Sequence, residues 1–192
     1  MRSIIHVGAH RGQEAKKYHN SGSQVVWVEA IPWIFLDLQE KIKKYKNQVA
    51  INALVSDKHD SEYNFKISNN RDGVSSSIYE FGKDGNEMFD ISMCSSILLR
   101  STTLKMLFDN YRLHKRNIEH MVLDVQGAEL LVLKGAGSLL GQFKIIKTEV
   151  STVEVYKDGV QWPELRQFLN NKGFKEVAAP SKEHCDVVFK RV

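Results

Sequence analysis

Short β-branched runs alternate with helical segments along most of the chain, and this alternation constrains the fold more than any other feature. Residues 3–7 (SIIHV) and 24–29 (QVVWVE) read as buried strands bounded by turn residues. A short helix fits 13–20 between them. Residues 32–46 then place Trp33, Phe35, Leu36, Leu38, Ile42 and Tyr45 on a helical period. "VAINALVS" (49–56) reads as a third strand, and "EYNFKIS" (62–68) alternates as an edge strand does. A helix at 102–112, a strand at 120–125, a short helix at 128–134 and a strand at 143–150 follow. The helix at 162–172 ends at Gly173, which suits a left-handed C-terminal cap. Strands near 174–178 and 185–190 close the chain. The pattern calls for an α/β fold, a parallel sheet covered on both faces by helices, with an antiparallel pair at one edge. Residues 69–100 break the rhythm, being rich in Asn, Gly, Ser and Asp. They read as an irregular insert and a candidate substrate lid, with Phe81, Met88 and Phe89 as side chains to lie over an acceptor.

A length of 192 residues points to one domain over 1–192. Apolar content of 42% and charged content of 26% are those of a globular chain that buries its own core. Cys94 and Cys185 stand far apart with no C-x-x-C, so they read as idle thiols. No stretch approaches the roughly 18 apolar residues of a membrane span. The N-terminus runs straight into a strand and does not resemble a signal peptide. A cytoplasmic location is the expectation. The net charge of +4 mildly favours an anionic partner. Much of that excess lies in "KIKKYK" (41–46), where helical spacing suggests a solvated face. Asp124, Glu149 and a loop oxygen would suit Mg²⁺, but carboxylates are not densely clustered and zinc-ligand spacing is absent, so no metal site is expected.

The turn after the first strand, "GAHRG" (8–12), carries the first chemical hint. Gly8 lets backbone approach a ligand closely, and the helix that follows offers free N–H groups to an anion. The second strand ends in Glu29, where a carboxylate can accept both hydroxyls of a ribose. A dinucleotide fingerprint needs G-x-G-x-x-G. Here position 10 is His, and the remaining G-x-x-x-G fits a ligand with a small carboxylate better than one with a pyrophosphate. Asp124 ends an apolar strand, a costly place for an acid that is not used. Glu149 ends the next strand in the same way.

On "HVGAHRGQEA", "VVWVEAIP", "NALVSD", "SSSI", "TTLKMLF", "LDVQGAELLVLKGA" and "IIKTEVS", the sequence resembles the FkbM family of S-adenosylmethionine-dependent methyltransferases. The family form of the segment around Asp124 is close to I-D-V-E-G-A-E-x-x-V-L-x-G-A, and Gln126 replaces its Glu. His6 and His10 replace the Asp and Asn of D-V-G-A-N-x-G, and Lys105 stands where T-L-D has its acid. The resemblance implies a seven-stranded Rossmann-like sheet of the class I methyltransferase type, S-adenosylmethionine as methyl donor, S-adenosylhomocysteine as product, and O-methylation, often of sugars or glycans.

Under this reading Asp124 is the base or orients the acceptor hydroxyl, with Glu149 and His10 as further catalytic candidates. Gly8 and the N–H groups of 9–13 hold the methionine moiety, and Glu29 holds the ribose beside Ala30 and Ile31. Asn52 and Ala53 edge the adenine. His6, Ala9, Gly12, Glu14 and Ser76 complete the expected donor site, with Asp124 at its methyl end. A nucleic-acid (RNA) methyltransferase and a non-catalytic nucleotide-binding module are the alternatives, and a nicotinamide enzyme ranks last on its glycine spacing. Many relatives carry N-terminal material that helps to form the acceptor site. Either this chain is a domain of a larger glycan-modifying protein, or the insert at 69–100 builds the acceptor pocket alone.

Overall fold

The computed structural model describes residues 2–70 and 72–192, without the side chains of Asn86, Glu87 and Phe89. In chain order the elements are β1 (Ser3–Val7), α1 (Ala15–Asn20), β2 (Gln24–Glu29), α2 (Pro32–Ile42), β3 (Gln48–Asn52), β4 (Leu54–Ser56), β5 (Glu62–Ser68), α3 (Lys83–Phe89), β6 (Met93–Thr103), α4 (Leu104–Asn110), β7 (His120–Leu123), α5 (Glu129–Ala136), β8 (Ile145–Ser151), α6 (Trp162–Asn171), β9 (Phe174–Glu176) and β10 (His184–Arg191). Seven strands form one sheet in the order β3-β2-β1-β7-β8-β10-β9. Its pairings are parallel except where β10 meets β8 and β9. Strand order reverses between β1 and β7, which opens a crevice beyond their carboxyl ends.

The period of two in each strand divides its side chains between two cores. On one face Ile5, Val7, Val26, Val28, Met121 and Leu123 pack against α4, α5 and α6 through Phe108, Leu133 and Leu169. On the other, Ile4, Val25 and Trp27 meet Ala15 of α1 and Leu38 and Ile42 of α2. Trp27 is wholly buried, and its indole N–H donates to Gln48 Oε1 at 3.0 Å. Gln48 Nε2 in turn donates to the Ala15 carbonyl at 2.8 Å, so this polar pair is satisfied inside the core. Helix α4 is capped by Thr103, whose hydroxyl accepts from the Met106 N–H at 3.1 Å.

Two expectations are corrected. The single third strand at 49–56 is two strands that separate at Ala53. β3 extends the main sheet, while β4 pairs in parallel with β6 in a second sheet ordered β4-β6-β5. Nor is the insert at 69–100 irregular throughout. It contains α3, and its last part belongs to β6, an eleven-residue strand antiparallel to β5. The serine- and asparagine-rich composition hid this strand, because the pairing that makes it is with a distant segment.

Candidate active site

A cavity of about 700 Å³ opens at the reversal point, walled by the ends of β1, β2, β7 and β8, by Asn70 and by a loop at 72–78. At its β1 end, Gly8 has φ +81°, and a Cβ there would fall on the Asp124 carbonyl. Only glycine allows the two strand ends to approach so closely. The expected row of free amides does not form. Gly8 and Ala9 N–H both donate to the Val28 carbonyl at 3.0 Å, and Gly12 N–H donates to the Ala9 carbonyl at 2.9 Å. The turn folds back on the end of β2, and the N–H groups of 8, 9, 10 and 12 are taken up there.

Glu29 is the hub of this half. Its Oε2 accepts from the His10 N–H at 2.7 Å and its Oε1 from the Ile31 N–H at 2.9 Å. Burial raises its pKa, against the pull of the Ile31 and His10 N–H groups. A carboxylate fixed in this way keeps its remaining lone pairs for the cavity it lines.

Of the other expected donor-site residues, His6, Gly8, Ala9, Glu14, Ala30, Ile31, Ala53, Ser76 and Asp124 line the cavity, whereas Gly12 and Asn52 do not. Gly12, at φ +60°, closes the turn against Leu38, whose Cδ1 would lie 2.6 Å from a Cβ there. Asn52 Nδ2 instead donates to the carbonyls of Glu29 at 2.8 Å and Ala30 at 3.1 Å, clamping the end of β2. Ser76 reaches the cavity wall, but its hydroxyl accepts from the Ser68 N–H at 3.0 Å and so braces the loop. His6 stacks on Trp27 with ring centroids 5.0 Å apart. Burial, then the Lys147 charge, lowers its pKa to about 3, so the ring is neutral. His10 lines the cavity in a left-handed conformation at φ +43°. Its ring nitrogens meet Gln13 Nε2 at 2.9 Å and the Asp72 carbonyl at 3.4 Å, on the Glu29 side.

The opposite end is acidic. Asp124 follows β7, with its N–H donating to the Val7 carbonyl at 3.0 Å, and Glu149 stands on β8, the next strand. Gln126 Nε2 donates to an oxygen of Asp124, and to Glu149 Oε2 at 3.0 Å. Its Oε1 accepts from the Tyr156 hydroxyl. Asp124 is open to the cavity, yet protein encloses it on its other sides. That burial, with the Glu149 charge added, holds its carboxyl well above the ordinary range, while Gln126 pulls the other way. Beneath it, Glu129 accepts from the N–H groups of Val125 at 3.1 Å and Gly127 at 3.3 Å, and burial pushes it up to about 7.

His184 is the residue the sequence reading missed. Its Nε2 meets Glu149 Oε1 at 2.9 Å and its Nδ1 shares a hydrogen bond with Ser151 Oγ at 2.7 Å. Burial opposes the charged imidazole, but the hydrogen bond and charge of Glu149 outweigh it and raise the pKa. Antiparallel pairing of β10 with β8 sets His184 opposite Ser151, a neighbour that no local motif announces. The insert contributes through Asn70 and the loop at 72–78. Phe81 instead stacks on Tyr156, with centroids 5.4 Å apart, in a small separate core. Met88 is partly exposed and does not line the cavity, and the Phe89 side chain lies outside the described residues.

Sheet order and crevice are those of a Rossmann-like fold with its site beyond the carboxyl ends of the strands. The chain belongs to the FkbM methyltransferase family: the Methyltransferase FkbM domain matches residues 6–176. Its methyl donor is S-adenosylmethionine. Among curated proteins none matches the chain in sequence. Solved structures share the fold at low identity. The Methanococcus jannaschii fibrillarin pre-rRNA processing protein is 15% identical, with 99% of this chain and 66% of that one covered and a TM-score of 0.55. A SAM-dependent methyltransferase from Aquifex aeolicus is 11% identical, covering 98% and 81%, with a TM-score of 0.53. Aeropyrum pernix fibrillarin, in complex with natively bound S-adenosyl-L-methionine, is 12% identical, covering 98% and 66%, with a TM-score of 0.53.

Proposed function

We propose that this methyltransferase acts on a hydroxyl of a sugar or glycan, with Asp124 as the group that takes the hydroxyl proton. The observation that carries the reading is the acidic end of the cavity, where Asp124, Glu149 and His184 converge two or more strands from Glu29. Strands lie about 4.8 Å apart, so Glu29 and Asp124 are separated by about 10 Å across β1. The site fits the donor in two respects. Glu29 offers anchored acceptors to a ribose, and the approach at Gly8 keeps side chains out of the crevice.

S-adenosylmethionine, when bound, supplies a methyl group activated by its sulfonium. The protein's part is to place an oxygen against it and remove the proton. Asp124 is fixed on one side by Gln126 and open on the other to an acceptor hydroxyl. Its raised pKa brings it closer to the working pH as a base. Glu149 and His184 are placed to bind a neighbouring hydroxyl. Several hydrogen-bonding groups in a small space suit a polyol. No lysine or arginine is among the described residues that line the cavity, and His184 is already paired with Glu149, so a phosphodiester finds little counter-charge there. This favours a glycan over RNA. The loop at 72–78 serves as the lid, tied down by Arg11, which bridges Asp37 at 2.9 Å and Asp72.

The test is S-adenosylhomocysteine release with a glycan panel and with RNA, for the natural protein and Asp124→Asn. Turnover on a glycan should fall about 10²–10⁴-fold in the variant, with donor affinity nearly kept. Equal turnover in both, or methylation of RNA alone, would overturn the reading.

A further inference from the structure

Gln126 does more than occupy a family position in altered form. Its amide has three partners, each from a different segment: Asp124 after β7, Glu149 on β8, and Tyr156 in the loop beyond β8. Its own carbonyl accepts from Ser77 Oγ at 2.7 Å, which ties it to the lid loop as well. The residue holds a left-handed backbone, φ +55°, which a side chain other than glycine adopts only when its surroundings fix it there. The orientation of the amide follows from these partners. Carboxylates accept, so they take the nitrogen, and the tyrosine hydroxyl donates, so it takes the oxygen.

We propose that Gln126 is a positioning residue for methyl transfer: by sharing its amide nitrogen between Asp124 and Glu149, it turns two adjacent acids into fixed hydrogen-bond acceptors and keeps Asp124 able to take a proton. Two bare carboxylates side by side share a proton, because both charges together are unfavourable. That shared proton would occupy the oxygen the acceptor hydroxyl needs. Donation to both opposes that sharing, because it stabilises the charged form of each acid. An amide has no charge of its own to add, unlike the glutamate of the family form, so the substitution suits a site already crowded with acids. Glu129 from α5 and Asp186 from β10 face the pair as further negative charges. His184 from β10 pairs with Glu149, Lys147 pairs with Asp186 at 2.6 Å, and Tyr156 stays a neutral donor because burial, then Glu149, pushes its pKa far up.

The inference rests on the methyltransferase reading for its purpose, but its test does not need an acceptor. Carboxyl-carbon NMR titration of the full chain, with Asp124 assigned through Asp124→Asn, reads the protonation directly. In Gln126→Leu the Asp124 carboxyl should titrate at least about one pH unit higher than in the natural protein, a tenfold gain in proton affinity. Gln126→Glu should move it the same way and carries the test if the leucine variant does not fold. In turnover the acidic limb of the kcat profile should move up with the NMR value, while the donor KM stays put. An Asp124 titration that does not move in a folded variant overturns the proposal. Loss of S-adenosylhomocysteine binding by the natural protein would instead overturn the donor reading, and calorimetry separates the two.

Discussion

Replacing Glu29 by glutamine isolates what the hub of the donor half does. The natural carboxylate accepts one backbone N–H on each oxygen, from His10 and from Ile31. An amide of the same size can serve only one of them, because its nitrogen is a donor and faces the other N–H. A buried N–H left without an acceptor costs about 1–3 kcal/mol. In a chain of this length each 1 kcal/mol lowers Tm by about 2–4 °C, so the melting temperature should fall by about 2–12 °C. Under the proposed donor reading, the same exchange weakens acceptance of ribose hydroxyls. Loss of one charge-assisted hydrogen bond, about 1.5–3 kcal/mol, corresponds to roughly 10–150-fold in Kd. Titration calorimetry with S-adenosylhomocysteine reads the second effect and a melting curve the first, both near pH 8 to keep the natural Glu29 ionised. A folded Glu29→Gln protein that binds S-adenosylhomocysteine as tightly as the natural one would refute the assignment of Glu29 to the ribose. An unchanged Tm would refute the argument about its backbone donors.

Glu129→Gln should raise stability at pH 8 and flatten its pH dependence. Glu129 has a folded pKa of about 7 against an ordinary 4.5. The folded state therefore binds more protons across that window, and stability is lost as the pH rises through it, by about 3 kcal/mol. Thermal unfolding at pH 5 and pH 8 checks it, and parallel profiles for the two proteins would contradict it. Gly12→Ala should destabilise by about 1–3 kcal/mol, since it adds a strained positive φ to a contact with Leu38 at 2.6 Å. Denaturant unfolding measures this. Gly8→Ala should be worse and should also abolish S-adenosylhomocysteine binding, because its Cβ meets a backbone carbonyl that cannot swing away. Retained binding in calorimetry would mean that the two strand ends separate more easily than their contact implies.

The division between what the sequence could and could not reveal has a physical origin. Strand and helix periods are local, so the alternating elements, the crevice beyond β1 and β2 and the positions of Gly8, Glu29 and Asp124 were legible in short windows. Most elements lie within a few residues of their expected places. Where partners are distant, the sequence was silent. β6 is a strand because β5 lies beside it, not because Cys94-Ser95-Ser96 favours one. His184 reaches Glu149 only through the antiparallel return of β10. The Gly8 and Ala9 amides looked free along the chain and are taken by Val28 once β2 lies alongside. Phe81 likewise had a partner, Tyr156, that no spacing could announce. The sequence alone determined the class of fold and the acids at its strand ends, because both follow from local pattern. Only the tertiary structure decided which donors and acceptors remain unspent, because a hydrogen bond is settled by whatever group arrives from elsewhere in the chain.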